Sequence, residues 1–205
     1  MLLKTVPVFL FLAVTLSGGA SLGAREALCP PAEESAKVIA KLGPVAVDEE
    51  APSFGGWRLD SKRLLTLGEL LLHQAGEPGA EKRALVVTFF ATWCPQCKPG
   101  ARVVDRLVGA LEERGARAVF IATGERGAKP LKWLTALGVS RDALGDPFFS
   151  IAERYGVATA GGGEASLPKT FVLDGRGRVR AIYEDSTGDF CGHLLRTLSE
   201  LLESP

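Results

Sequence analysis

Residues 84–97 read Ala84-Leu85-Val86-Val87-Thr88-Phe89-Phe90-Ala91-Thr92-Trp93-Cys94-Pro95-Gln96-Cys97. The apolar run over 84–91 predicts a strand buried on both faces. Beyond Cys97, Val103, Val104, Leu107, Val108 and Leu111 recur at spacings of three and four, which predicts an amphipathic helix. The strand thus delivers two cysteines, two residues apart, to the start of a helix. A helix start carries unpaired N–H groups and a partial positive charge, which together stabilise a thiolate. The spacing lets one thiol reach the other across a turn, so the pair can close into a disulfide or exchange with a partner's.

Cys94, nearer the tip of the helix, is the candidate nucleophile, and Cys97 is the resolving thiol. Trp93 reads either as a large residue half-buried at the core's edge or as a hydrophobic wall where a partner docks, and the two are compatible. Pro95 suits a first helical position, where its missing N–H costs nothing. Pro95 and Gln96 tune the thiolate, and neutral Gln96 predicts a potential between those of thioredoxin (about −270 mV) and DsbA (about −120 mV). Zinc would need a second pair of ligands, and Cys29, Cys191, His73 and His193 stand at no ligand spacing. No metal and no cofactor is expected.

Working outward, Lys4, an apolar stretch over 6–16 and a small-residue run over 17–24 have the layout of a secretory signal peptide, with Ala20 or Ala24 as the cleavage point. The apolar stretch is shorter than the ~20 residues a spanning helix needs, although retention as an anchor is the alternative. Residues 25–50 form a leader with a helix-like piece at 33–42, and residues 51–205 form the domain proper. Lys plus Arg, 24, equals Asp plus Glu, 24, so no charge imbalance points to nucleic acid or an acidic membrane surface. An even cysteine count in an exported chain suggests a second, structural disulfide, Cys29–Cys191. Otherwise Cys191 would be a third redox-active thiol near a helix N-terminus, and Cys29 unpaired.

Further helices are expected over 64–73, 130–137, 146–155 and 189–202, the last capped by Asp189. His73, at the end of the first of these, reads as an ordinary helix-end residue rather than a catalytic one. A second buried strand is expected over 116–122, and two more over 169–174 and 178–184 around a hairpin turn. Strand, helix, strand in this rhythm predicts a right-handed parallel βαβ unit. The fold class is therefore α/β, a central mixed sheet with helices on both faces.

The chain resembles the thioredoxin-fold TlpA/ResA-type exported thiol–disulfide oxidoreductases of the redoxin (AhpC/TSA) superfamily. The residues carrying the likeness are Ala51-Pro52-Ser53-Phe54, the strand and cysteine stretch, Asp146, Ala152 to Val157, and Leu167 to Gly177. The resemblance implies a thioredoxin-like fold and a protein-disulfide oxidoreductase acting on thiols and disulfides of exported proteins. It also implies a monomer in a periplasmic setting, a membrane-bound electron donor and a part in cytochrome c maturation. It implies a cis peptide before Pro168, facing the disulfide, with the Leu167 backbone free to pair with an incoming extended peptide.

Two positions depart from the resemblance: Thr88 stands where thioredoxin has a buried acid, and Gly100 where ResA-like members have a glutamate. Glu164, Lys98 or a water chain remain as routes for the Cys97 proton. Pro99 predicts a kink early in the cysteine helix. A peroxiredoxin-like peroxide reductase would need Thr-x-x-Cys, whereas Thr92 lies only two before Cys94. A Sco-like copper-delivery protein would use CxxxC with a distant histidine; the spacing here is shorter, and His193 falls on a helix assigned to packing.

Overall fold

The computed structural model describes residues 28–72, 83–161 and 164–203. The expected signal peptide, His73, Gly162 and Gly163 lie outside the described residues. Among the described residues eight strands share one sheet, in the spatial order β1 (Val38–Ile39), β10 (Val179–Tyr183), β9 (Lys169–Asp174), β6 (Ala84–Phe90), β7 (Ala116–Thr123), β8 (Asp142–Asp146), β4 (Gly55–Arg58) and β5 (Leu64–Thr66). β2 (Lys41–Leu42) and β3 (Val45–Ala46) make a separate hairpin. β7 pairs parallel with β6 and β8, and the remaining neighbours pair antiparallel.

β6 is buried along its whole length. Its side chains alternate between two cores. Ala84, Val86 and Phe90 face the core that holds Cys94 and Cys97, with Val104, Leu107 and Val108 of α2 (Cys97–Leu111). Leu194, Leu195 and Leu198 of α5 (Phe190–Glu203) and Leu134 of α3 (Lys129–Ala136) complete that side. Leu85, Val87 and Phe89 face the other core, with Leu67 and Leu70 of α1 (Leu67–Leu72) and Ile151 and Ala152 of α4 (Ser150–Arg154). Each such aliphatic or aromatic side chain contributes roughly 1.5–3 kcal/mol on full burial. The mixed sheet with helices on both faces is the expected α/β class.

Four local expectations are corrected. The helix over 64–73 starts late, because Leu64–Thr66 is β5, with Gly55 opposite Thr66 and Trp57 opposite Leu64. Thr66 and Glu69 form a capping box: the Glu69 N–H donates to Thr66 Oγ1 at 3.1 Å, and the Thr66 N–H donates to Glu69 Oε2 at 2.9 Å. The piece at 33–42 is extended, not helical, since Val38 takes the free sheet edge beside Tyr183 and Leu42 pairs with Val45. The element over 146–155 is divided. Asp146 closes β8, and its buried carboxylate accepts from the Ile151 and Ala152 N–H groups at 3.2 and 2.9 Å, capping α4.

The kink expected from Pro99 has no cause. α2 begins at Cys97, so Pro99 stands in the first turn, where no intrahelical N–H bond exists to be lost.

Candidate functional site

The site is built where β6 ends. In the β6–β9 register Thr88 opposes Thr170 and Phe89 opposes Lys169. The loop leaving β6 and the loop entering β9 therefore emerge at the same end of the sheet. The first carries Trp93 to Cys97, the second Leu167 and Pro168. The Leu167–Pro168 peptide is cis. Leu167 packs against the core cluster that contains both cysteines.

Cys94 and Cys97 are joined as a disulfide, with Cα atoms 5.4 Å apart. A tight turn sets this approach: the Cys94 N–H donates to Ala91 O at 3.2 Å and the Cys97 N–H to Cys94 O at 3.3 Å. Cys97 is the first residue of α2, preceded by Gln96, so Pro95 sits in the turn rather than at a helical position. Cys94 is 5% exposed and Cys97 1%. Both cysteines are buried, Cys94 slightly less than Cys97. Trp93 is 60% exposed, so it is not the half-buried residue at the core's edge that one reading expected. Pro95 and Gln96 are exposed, Leu167 half-buried and Pro168 buried.

Several residues the sequence did not mark hold this arrangement. Glu125, in the loop after β7, accepts from the Thr92 N–H at 2.7 Å and from Thr92 Oγ1 at 2.5 Å. Its carboxylate pins the residue two before Cys94 and is itself bridged to Lys129 at 3.5 Å. Ser186, before α5, fills the space over Gly100: a Cβ there would stand 2.3 Å from Ser186 Oγ and 2.8 Å from its Cβ. Where the resemblance has a glutamate, this chain thus packs a hydroxyl from a distant loop against a bare backbone. No local pattern could have announced either contact.

Under the cysteine helix the polar pair is Thr88 and Thr170, with hydroxyl oxygens 3.2 Å apart and both side chains buried. Thr88 continues the alternation of Val86 and Phe90, so it lies on the face that carries Cys97. Neither hydroxyl takes up a proton near neutral pH, unlike a carboxylate. Lys169, next to Pro168, is 4% exposed. Its Nζ donates to Ser166 Oγ at 2.9 Å and to Glu184 O at 2.5 Å. Burial pulls its pKa below 10.5, against the opposing pull of Glu184 and Asp185. Glu164 and Lys98 are exposed. Cys29 and Cys191 stand apart from this site, linked to each other with Cα atoms 5.5 Å apart.

A parallel strand ending in a Cys-x-x-Cys turn, a helix running from the second cysteine, and a cis-proline loop define a protein of the thioredoxin fold. The chain belongs to the AhpC/TSA family, whose model matches residues 48–182. It is similar to the thiol:disulfide interchange protein DsbE homolog of Paracoccus denitrificans, 31% identical over 160 residues, covering 75% of this chain and 78% of that protein. It is also similar to thiol:disulfide interchange protein DsbE of Tatumella citrea, 29% identical over 99 residues, where the chain spans about half of the relative's length (48%). Among solved structures, a thiol:disulfide interchange protein DsbE from Chlorobium tepidum superposes with a TM-score of 0.61 at 16% identity, covering 77% of this chain and 99% of that one. That likeness establishes the thioredoxin-like fold.

Proposed function

We propose that the protein is a thiol–disulfide oxidoreductase that exchanges disulfides with exported polypeptides through Cys94 and Cys97. The observation that carries this is the closed dithiol at a helix start: Cys94 in the turn that ends β6 and Cys97 at the first residue of α2, joined as a disulfide. When reduced, the Cys94 thiolate attacks a sulfur of a partner's disulfide. A Cys94–partner bond forms, and the partner's other sulfur leaves as a thiolate. The Cys97 thiolate then attacks Cys94 Sγ, closing the Cys94–Cys97 bond and releasing the partner's second thiolate. Two electrons pass to the partner, and the protons lost by the cysteines go to the released thiolates through solvent.

The partner's chain has a place to lie. The ladder of β9 stops at Lys169, leaving Leu167 outside it at the end of the sheet, where a strand-like segment can pair. Residues 1–24 read as an export signal, which supports a periplasmic setting. No described helix is long and apolar enough to cross a membrane. From the resemblance to the TlpA/ResA-type oxidoreductases we also propose a membrane-bound donor of electrons and a part in cytochrome c maturation. Insulin reduction tests the activity. With dithiothreitol as donor, the protein should hasten precipitation of the insulin B chain. A turbidity trace no faster than with dithiothreitol alone contradicts the proposal.

A further inference from the structure

Away from the dithiol, the Cys29–Cys191 bond lies in unequal surroundings on its two sides. Cys191 is the second residue of α5, in the turn where a helix holds unpaired N–H groups. An Nη of Arg106, on α2, donates toward Cys191 Sγ at 3.6 Å. Leu28 O lies 3.4 Å from the same sulfur, on the chain segment that the bond itself holds in place. Cys29 is 8% exposed, and among the described residues no side chain donates to its sulfur. It lines an open cleft of about 350 Å³, together with Pro30, Pro31, Asp189, Gly192 and Arg196. The Asp189 carboxylate is occupied, accepting from the Gly192 N–H at 3.0 Å. The Arg196 guanidinium is exposed and lies 3.4 Å from the His193 ring, among the described residues its one hydrogen-bond partner.

We propose that Cys29–Cys191 is a second thiol–disulfide exchange site, open to a low-molecular-weight thiol that carries a carboxylate. The carboxylate pairs with Arg196 in the cleft, and the thiolate attacks Cys29 Sγ. The better leaving group is the sulfur whose thiolate is more stabilised, and that is Cys191, beside Arg106 and the helix start. The Cys29–Cys191 bond breaks, a bond from Cys29 to the small thiol forms, and Cys191 leaves as a thiolate. A second equivalent of the thiol then releases Cys29 and departs as its own symmetrical disulfide, so the protein gains two electrons and two small thiols lose them.

The leader stays docked through this cycle. The Asp189 N–H donates to Glu34 O at 2.7 Å and the Glu184 N–H to Lys37 O at 2.9 Å, and Lys37 bridges Asp185 at 2.7 Å. The bond can therefore open and close without unfolding the domain. The proposal stands independently of the activity assigned to Cys94 and Cys97.

The test uses the full chain carrying Cys94→Ser and Cys97→Ser, incubated with glutathione or with cysteamine at equal thiolate concentration, acid-quenched, alkylated and mapped by peptide mass. The expected product is a mixed disulfide on Cys29 with Cys191 free. Glutathione should react about threefold faster than cysteamine, and Arg196→Gln should erase that preference. Arg106→Gln should slow both thiols about equally, by roughly tenfold. The unsubstituted protein should give the same Cys29 adduct, which excludes an artefact of the serine variants. An adduct on Cys191, equal rates for the two thiols, or a bond that opens only in urea or only to a protein thiol would overturn the assignment.

Discussion

At position 88 the polar group beneath the cysteine helix is a hydroxyl, bonded to the hydroxyl of Thr170 82 positions away. Replacing one partner strands the other. Thr88→Val should therefore cost about 1–3 kcal/mol of stability, while Thr88→Val with Thr170→Val should cost much less than the two single changes summed. Urea midpoints of the four proteins measure this, and strict additivity would contradict it. The sequence made the absence of an acid at Thr88 and at Gly100 readable, because both positions are counted from the cysteines. It concealed what takes their place. Thr170 and Ser186 reach the site through strand register and a distant loop, and nothing within a few residues of either one records that.

Elements with a strong period were legible at the outset. β6 is an unbroken apolar run and α2 an amphipathic repeat, so the strand, the helix and the dithiol between them could be placed before any coordinates. β4, β5 and β8 could not. They are short, and the glycines of Gly55–Arg58 and Asp142–Asp146 dilute any alternation, so their extended shape comes from the neighbours they pair with. The capping box at Thr66 and Glu69 is legible in the sequence, but the apolar spacing that begins at Leu64 runs through it and masks the helix start.

Between elements, the contact with most leverage on the site is Glu125 to Thr92. Two hydrogen bonds to a largely buried carboxylate are lost in Glu125→Ala, at a cost of about 2 kcal/mol. The loop bearing Trp93 and Cys94 should then exchange its amide hydrogens faster, and insulin reduction should slow. Thr92→Val, which removes only the hydroxyl bond, should show a smaller effect of the same kind. Unchanged amide exchange in Glu125→Ala would show that Glu125 does not hold the loop.

Across the molecule, the leader is tied to the C-terminal half by β1 on β10, by the Cys29–Cys191 bond and by Lys37 with Asp185. Burial pushes the Asp185 pKa up, but the Lys37 ammonium and the Thr187 hydroxyl and N–H outweigh it, so the folded value lies below 3.8. A carboxylate depressed in the folded state adds stability above its unfolded pKa, and that stability is lost as pH falls through the folded value. Asp185→Asn should therefore be less stable than the parent at pH 7, with the gap closing as pH falls below 3.8. Urea midpoints at the two ends of that range check the sign; a gap that widens in acid would contradict it.

In the proposed cycle Cys94 forms the bond to the partner's sulfur, and Cys97 breaks it by attacking Cys94. Cys97→Ser, reduced and mixed with an oxidised polypeptide substrate, measures it most directly by non-reducing gel and peptide mass. The account predicts a covalent adduct that accumulates on Cys94 and persists, with none formed by Cys94→Ser. An adduct of equal yield on Cys97 in Cys94→Ser, or none in either protein, would contradict it.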